Sequence, residues 1–316
     1  MTRVVVIGGG QSAEHQVSLA SAEGVTAVLR SHGHDVVALT IDQNGMWRQD
    51  QQAIGFAGAV HVLGTTDVVV PMLHGPRGED GTLAALCDLA GVPYVGSGLG
   101  AGALAMDKWV TKLVAEAIGI ATAPGRLLTR ATASAYSFTH PVVVKPVAAG
   151  SSQGVSLVSA ADALPSALAT AFDYDDRVLI EDVVEGREID LAVLGRPDGT
   201  RLVAPALEIV ADGIFDFATK YGGSADFRVP ARLSDTQRER LERAAVSMYD
   251  ALGCAGVVRI DFFWSGDQPV LNEVNTTPGF TEASQVPKMF AAAGLTSAEL
   301  LDLLIRDAIA TWRGDS

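Results

Sequence analysis

Val257-Val-Arg259-Ile-Asp261-Phe-Phe263 and Val270-Leu-Asn-Glu273-Val-Asn275 place charged and apolar residues in alternation along two predicted strands. In a strand, residues two apart share a face, so Arg259 points with Asp261, and Glu273 with Asn275. If the two strands are neighbours, two carboxylates and an amide converge beside a guanidinium. Such hard oxygen donors suit Mg²⁺ shared with nucleotide phosphates. A single isolated pair of charges would read as a surface ion-pair ladder. Here both charged sets lie in runs of Val, Ile and Phe, where an unpaired charge is costly.

Working outward, Lys145-Pro-Val-Ala-Ala-Gly-Ser-Ser-Gln-Gly154 leaves another strand. Its small residues allow a loop whose N–H groups can close over phosphates, with Lys145 adding a point charge. By itself it also reads as a flexible connection, and it lacks the Gly-Lys-Ser/Thr ending of a Walker loop. Gly8-Gly-Gly-Gln-Ser-Ala-Glu-His-Gln-Val-Ser18 satisfies a Gly-x-Gly-x-x-Ala dinucleotide fingerprint, and Asp42 ends the next strand where a ribose-binding acid would sit. An NAD-dependent oxidoreductase is therefore a competing class. Against it, Glu14 follows the turn at once and would face a pyrophosphate with like charge. His74-Gly-Pro-Arg-Gly-Glu-Asp-Gly81 follows a strand end, where open α/β sheets bind ligands, and Glu79 and Asp80 also favour the N-terminus of the next helix.

The organisation agrees with three parts. Residues 1–105 alternate strands (4–7, 36–41, 68–70, 92–95) with helices (17–29, 82–89), as in a parallel α/β domain. Residues 106–187 carry a helix at 107–118, a hairpin of 141–145 with 156–158, a helix near 160–171 and a strand at 178–181. Residues 188–316 carry strands at 189–194, 257–263 and 270–274 and a long amphipathic helix at 234–252. A capping box, Thr296-Ser-Ala-Glu299, opens the last helix. The chain has 316 residues, 48% of them apolar, and a formal charge of −14 with no basic run. That balance argues against a nucleic-acid or anionic-membrane partner. The apolar runs are too short to span a bilayer. Cys87 and Cys254 have no metal spacing and read as small core hydrophobes in a reducing, cytoplasmic compartment.

Together with Pro93-Tyr-Val-Gly-Ser-Gly98, Met106-Asp-Lys108, the 181–188 segment, Lys220-Tyr221 and the 273–287 segment, these motifs resemble, in order and from end to end, the D-alanine–D-alanine ligases of the ATP-grasp superfamily. The resemblance implies a three-domain ATP-grasp fold with ATP between the central and C-terminal domains. It implies a ligation of two D-alanines through an acyl phosphate, for peptidoglycan. Lys108 and Lys145 would meet phosphates and base, Glu181 and the backbone near Val184 the adenine, Glu188 the ribose, and Lys220 the phosphates from a lid. Asp261, Glu273 and Asn275 would hold two Mg²⁺ ions, or Mn²⁺. Glu14 and His74 would place the first amino acid, and Glu14, Ser151 and Tyr221 would form a bonded set. Arg259 and the Gly279 N–H would stabilise the oxyanion, and Ser284 would grip the second carboxylate. A homodimer is implied as well. Family members that make depsipeptides tend to carry Phe at the Tyr221 position, so Tyr221 favours an amine nucleophile. Ala148-Ala149, Phe215, Phe217, Ala283 and Gln285 depart from the usual pattern and leave open a paralogue that joins a different pair. The Gln285 amide needs a partner, in the protein or in a polar second substrate; the expectation is a second site that tolerates D-serine.

Overall fold

The computed structural model describes residues 1–210 and 226–314, and three sheets organise them. The first takes the order β4-β3-β2-β1-β5, from β1 (Arg3–Gly9), β2 (Asp35–Ile41), β3 (Trp47–Gln49), β4 (Gln52–Ala53) and β5 (Val68–Pro71). β1 lies parallel between β2 and β5, while β3 and β4 extend the edge antiparallel. Val4 to Ile7 are at most 1% exposed, as a strand covered on both faces requires. Helices α1 (His15–Ser31), α2 (Gly55–Leu63) and α3 (Thr82–Ala90) belong to this part. The strand expected at 92–95 is reduced to a parallel bridge between Tyr94 and Val69. Pro93 lacks an N–H, and Gly91 and Gly96 turn the chain with positive φ on either side, so no ladder extends.

α4 (Leu99–Met106) and α5 (Lys108–Ala117) follow. They are separate because Asp107 is extended, and its carboxylate caps α5 by accepting from Val110 N at 2.9 Å. Nothing in the sequence announced α4, whose Gly-Ala-Leu composition has no polar face. The second sheet is antiparallel, in the order β7-β10-β8-β9: β7 (Gly125–Thr129), β8 (Val142–Pro146), β9 (Ser156–Val158) and β10 (Arg177–Asp182). α6 (Leu164–Phe172) backs it.

The third sheet runs β14-β13-β11-β15-β16-β6, with β12 also on β11. Its strands are β6 (Ala121–Thr122), β11 (Arg187–Gly195), β12 (Arg201–Val203), β13 (Leu207–Val210), β14 (Asp226–Arg228), β15 (Val257–Ser265) and β16 (Gln268–Asn275). α7 (Asp235–Ala251) lays Leu241, Ala244, Ala245 and Met248 on one face of it, opened by a Ser234–Gln237 capping box. On that face Val258, Ile260 and Phe262 alternate with Arg259 and Asp261 on the other. α8 (Gln285–Ala292) and α9 (Ser297–Gly314) complete the chain, the expected Thr296–Glu299 capping box being present. α9 packs on α1 and β5, so Val4 and Val6 share a core with Leu194, Phe290, Leu300 and Leu304. Cys87 is buried as expected, on the other face of the first sheet with Val5, Ile7 and Val69, whereas Cys254 is only half-buried; burial pushes both thiols up to about 12.

Phe290, fully buried on α8, joins the first strand to this helix. Phe290→Ala is expected to destabilise the protein by about 3–5 kcal/mol. Urea unfolding of the pair measures it, and a loss below about 1 kcal/mol would contradict the packing described.

Candidate active site

β15 and β16 are antiparallel neighbours, with Arg259 opposite Asn275 and Asp261 opposite Glu273. On the other side β11 sets Asp190 opposite Asp261. Three carboxylates thus form a row across three strands, with the Arg259 guanidinium among them. Arg259 donates from Nε and Nη2 to the two oxygens of Asp261, each at 2.7 Å. Among the described residues its Nη1 makes no hydrogen bond. Burial opposes the charge of Arg259. The Asp261 carboxylate, then Asp190 and Glu273, more than restore it, so its pKa lies well above the usual value. Asn275 Nδ2 donates to Asp261 at 3.0 Å, and Lys108 Nζ lies 3.4 Å from Glu273. Among the described residues no three Asp, Glu, His or Cys side chains gather to hold a metal. The set is two carboxylates and an amide. These hard donors fit Mg²⁺ if phosphate oxygens and water complete its shell.

From this row a cleft of about 720 Å³ opens between the second and third sheets, lined by Lys108, Lys145, Glu181, Val184, Glu188 and Asp261 among others. Glu181, on β10, is buried and holds two ammonium groups, Lys112 at 2.6 Å and Lys145 at 2.5 Å. Burial raises a carboxyl; here Lys145 and Lys112 outweigh it and keep Glu181 below its ordinary range. Its oxygens are therefore acceptors, as reading an amino group requires. Lys108 Nζ donates to Ala149 O at 2.7 Å, tying α5 to the loop after β8. Glu208 pairs with Arg187 at 2.7 Å and Arg228 at 2.9 Å on the same wall.

A second pocket, about 120 Å³, is lined by Glu14, His74, Glu79, Ser151, Gly279 and Ser284 among others, and among the described residues shares only Arg259 and Gln285 with the cleft. Ser151 donates to the Glu14 carboxylate. Gly150 lets that carboxylate approach closely, since a Cβ there would displace it. Ser151 and Ser152 are both left-handed, at φ 50° and 55°, a conformation an L-residue keeps only when its surroundings impose it. His74 Nδ1 donates to Thr277 O at 2.9 Å, leaving Nε2 as the acceptor facing Ser21 Oγ at 3.4 Å. Ser284 caps α8 without a side-chain cap bond; its hydroxyl accepts from Thr281 N at 3.0 Å. The N–H groups of that first helical turn suit a carboxylate. The Gly279 N–H makes no hydrogen bond among the described residues. Lys220 and Tyr221 lie outside the described residues, as do Phe215 and Phe217.

Gln285 shows which of its two expected partners its amide has. Its Nε2 donates to Asp190 at 2.6 Å and the residue is buried, so the amide finds its partner within the protein and offers no argument for a polar second substrate. Sequence reading also passed over Lys112, Glu79 as a pocket residue, Asp190 and Glu208. Lys112 repeats Lys108 after one helical turn, and Asp190 follows Glu188 on the same strand face; those spacings were the available signals. The dinucleotide turn is spent internally. Gly9 N donates to Ser18 Oγ at 2.8 Å and Gly10 N to Ile41 O at 2.8 Å. Asp42 accepts from Asn44 and Met46 N–H and pairs with Arg48.

A nucleotide-sized cleft between two largely antiparallel sheets, lysines on one wall and paired carboxylates at its end, define an ATP-grasp enzyme. The comparisons narrow this. Residues 3–97 match the family model described as D-ala D-ala ligase N-terminus, and residues 115–306 the D-ala D-ala ligase C-terminus. The chain is 38% identical to the D-alanine–D-alanine ligase of Mycobacterium bovis, over 99% of this chain and 96% of that one. It is 40% identical to that of Corynebacterium aurimucosum, over 98% of each. Among solved structures, VanG D-Ala:D-Ser ligase from Enterococcus faecalis superposes with a TM-score of 0.82 at 33% identity, covering 96% of this chain and 98% of that one. The Bacillus anthracis D-alanine–D-alanine ligase complexed with ATP gives 0.82 at 29%, covering all of both. The chain belongs to the D-alanine–D-alanine ligase family.

Glu79 carries a pH signature. Burial, then the charge of Glu14, pushes its carboxyl up to about 8, against the Gly75 N–H that it accepts at 2.9 Å. The folded protein therefore binds a proton here that the unfolded chain releases near ~4.3. This contribution to stability is complete below that value and is lost as pH rises through about 8. Glu79→Gln is expected to raise Tm relative to the wild type increasingly from pH 5 to pH 9. A Tm difference that stays constant over that range would refute the assignment.

Proposed function

We propose that this chain ligates two D-alanines at the expense of ATP, giving D-alanyl-D-alanine, ADP and phosphate. One observation carries the reading: among the described residues the cleft and the pocket meet only at Arg259 and Gln285, where a γ-phosphate from one side would face a carboxylate from the other. The small pocket suits amino acids of alanine size. In this reading residues 1–105, 106–187 and 188–316 act as three domains. The three sheets support that division, although α5 and β6 pack on the third.

The roles follow from chemistry. A carboxylate is a poor acyl donor, so an oxygen of the first D-alanine attacks the γ-phosphorus, the bond to ADP breaks, and an acyl phosphate forms. Lys108, Lys145 and Lys220 offset the repulsion between the two anions. Mg²⁺ or Mn²⁺, when held by Asp261, Glu273 and Asn275, supplies further charge neutralisation on the phosphates. Glu181 and the backbone at Val184 hold the adenine, and Glu188 the ribose. Glu14 binds the first ammonium, with His74 beside it, and Ser151 and Tyr221 tie this end to the lid. The second amine, with an α-amino pKa near ~8, reaches its neutral form near neutral pH with modest help. It attacks the acyl carbon, and the bond to phosphate breaks. Arg259 Nη1 and the Gly279 N–H face the oxyanion; one such donor contributes typically about 2.7–4 kcal/mol. Ser284 and the first turn of α8 take the second carboxylate. A cytoplasmic homodimer serving peptidoglycan synthesis completes the proposal, with exposed Phe56 and Leu89 available as apolar contact surface.

Phosphate release from ATP, screened over D- and L-amino acids, is expected to respond to D-alanine above D-serine and L-alanine, while calorimetry with NAD⁺ and NADP⁺ shows no binding. Glu273→Gln is expected to lower that release by at least about 100-fold with Tm nearly unchanged. Near-normal Mg²⁺-dependent release by the folded variant would sink the metal assignment.

A further inference from the structure

Asp190 is fully buried on β11, at 0% exposure. One of its oxygens, Oδ2, serves two groups of different origin. Gln285 Nε2 donates to it at 2.6 Å, and Arg259 Nε lies 3.6 Å away. A carboxylate only accepts, so it is the amide nitrogen of Gln285 that faces it. A charge-assisted bond of this length, shielded from water, is among the stronger polar links a fold can make.

Its placement gives it meaning. Among the described residues, Arg259 and Gln285 are the two that line both the cleft and the small pocket. Gln285 is the first residue of α8 and follows Ser284 directly. Among the described residues the Ser284 hydroxyl bonds only within its own turn, to Thr281 N at 3.0 Å and Thr281 Oγ1 at 2.8 Å. The polar link from that turn to the third sheet runs through the next side chain, Gln285, onto Asp190.

We propose that Asp190 and Gln285 form a positioning strut that sets the distance between the second amino acid's carboxylate site at Ser284 and the oxyanion donors of Arg259. The strut rests on the reading of the small pocket as the amino-acid site. It touches no reacting atom and acts through the two residues it holds. A misplacement of about 1 Å between a bound group and the reacting centre is enough to cost up to about 100-fold.

Gln285→Met keeps the length of the side chain and removes the donor. Asp190→Asn removes the charge and keeps an oxygen that accepts from Gln285. Initial rates of phosphate release against D-alanine concentration separate the two amino-acid sites. Gln285→Met is expected to raise KM at the second site about 10-fold, with KM for ATP and for the first site within about twofold. Asp190→Asn is expected to hold the second-site KM within about threefold of the wild type, rescued by the acceptor it retains. In Asp190→Ala/Gln285→Met the two losses should not multiply, because both remove one link. A second-site KM within twofold of the wild type in Gln285→Met, or multiplying losses in the double variant, overturns the strut. Should Gln285→Met not fold, Gln285→Asn, one methylene shorter, breaks the same link. Thermal unfolding of the ligand-free cycle reads the Asp190–Gln285 coupling without any substrate. Coupling without D-alanine-dependent turnover in the wild type overturns the function; turnover without coupling overturns the strut.

Discussion

A guanidinium cannot be left alone where water is scarce, and Arg259 is only 6% exposed. Its stability depends on Asp261 beside it on β15 and on the Asp190 and Glu273 strands on either flank. That requirement fixes register. A slip of one residue would carry Arg259 and Asp261 to the face where Val258, Ile260 and Phe262 pack under α7, and would bring those apolar side chains into the cleft. The chemistry-bearing face and the core face of β15 therefore specify each other. A pair of this kind is weak evidence for stability, since desolvation consumes much of the attraction. Its value is that one arrangement of three strands satisfies it and the neighbouring arrangements do not.

In the proposed function, the same logic explains how a chain of net charge −14 would hold a polyanion. The positive charge is local, and part of it is pre-balanced. Glu181 sits between Lys112 and Lys145, so both ammonium groups are held in place before any nucleotide arrives. Lys108 is tied to the Ala149 carbonyl and faces Glu273. Such clamping lowers the entropy that ordering long side chains would otherwise cost on binding.

Much of this was legible in the residues. Strand alternation placed Arg259 with Asp261 and Glu273 with Asn275, and the β15–β16 pairing brings them together. The parallel run at Val4 to Ile7 and the apolar stripe of α7 were equally plain. What escaped had physical causes. α4 has no periodicity because it is apolar all round, and the strand at 92–95 fails on a missing N–H at Pro93. Gln285 looked unsatisfied because its partner, Asp190, lies 95 positions away. Glu79 read as a helix-start acid, and only the fold shows Glu14 beside it. Long-range pairs of this kind leave no trace in local pattern.

The packing of α9 against α1 and β5 has a bearing on how the chain is made. The core that holds Val4, Val6 and Val68 also needs Leu300, Leu301, Leu304 and Ile305 from the other end of the molecule. During synthesis the first sheet emerges long before that helix does. Its apolar face then waits exposed while some two hundred further residues are added, at about 5–20 residues per second. Contacts so distant in sequence close late and slowly. The nascent chain is thus most prone to aggregation in its earliest-made part, and its last helix acts as the clasp that ends the risk.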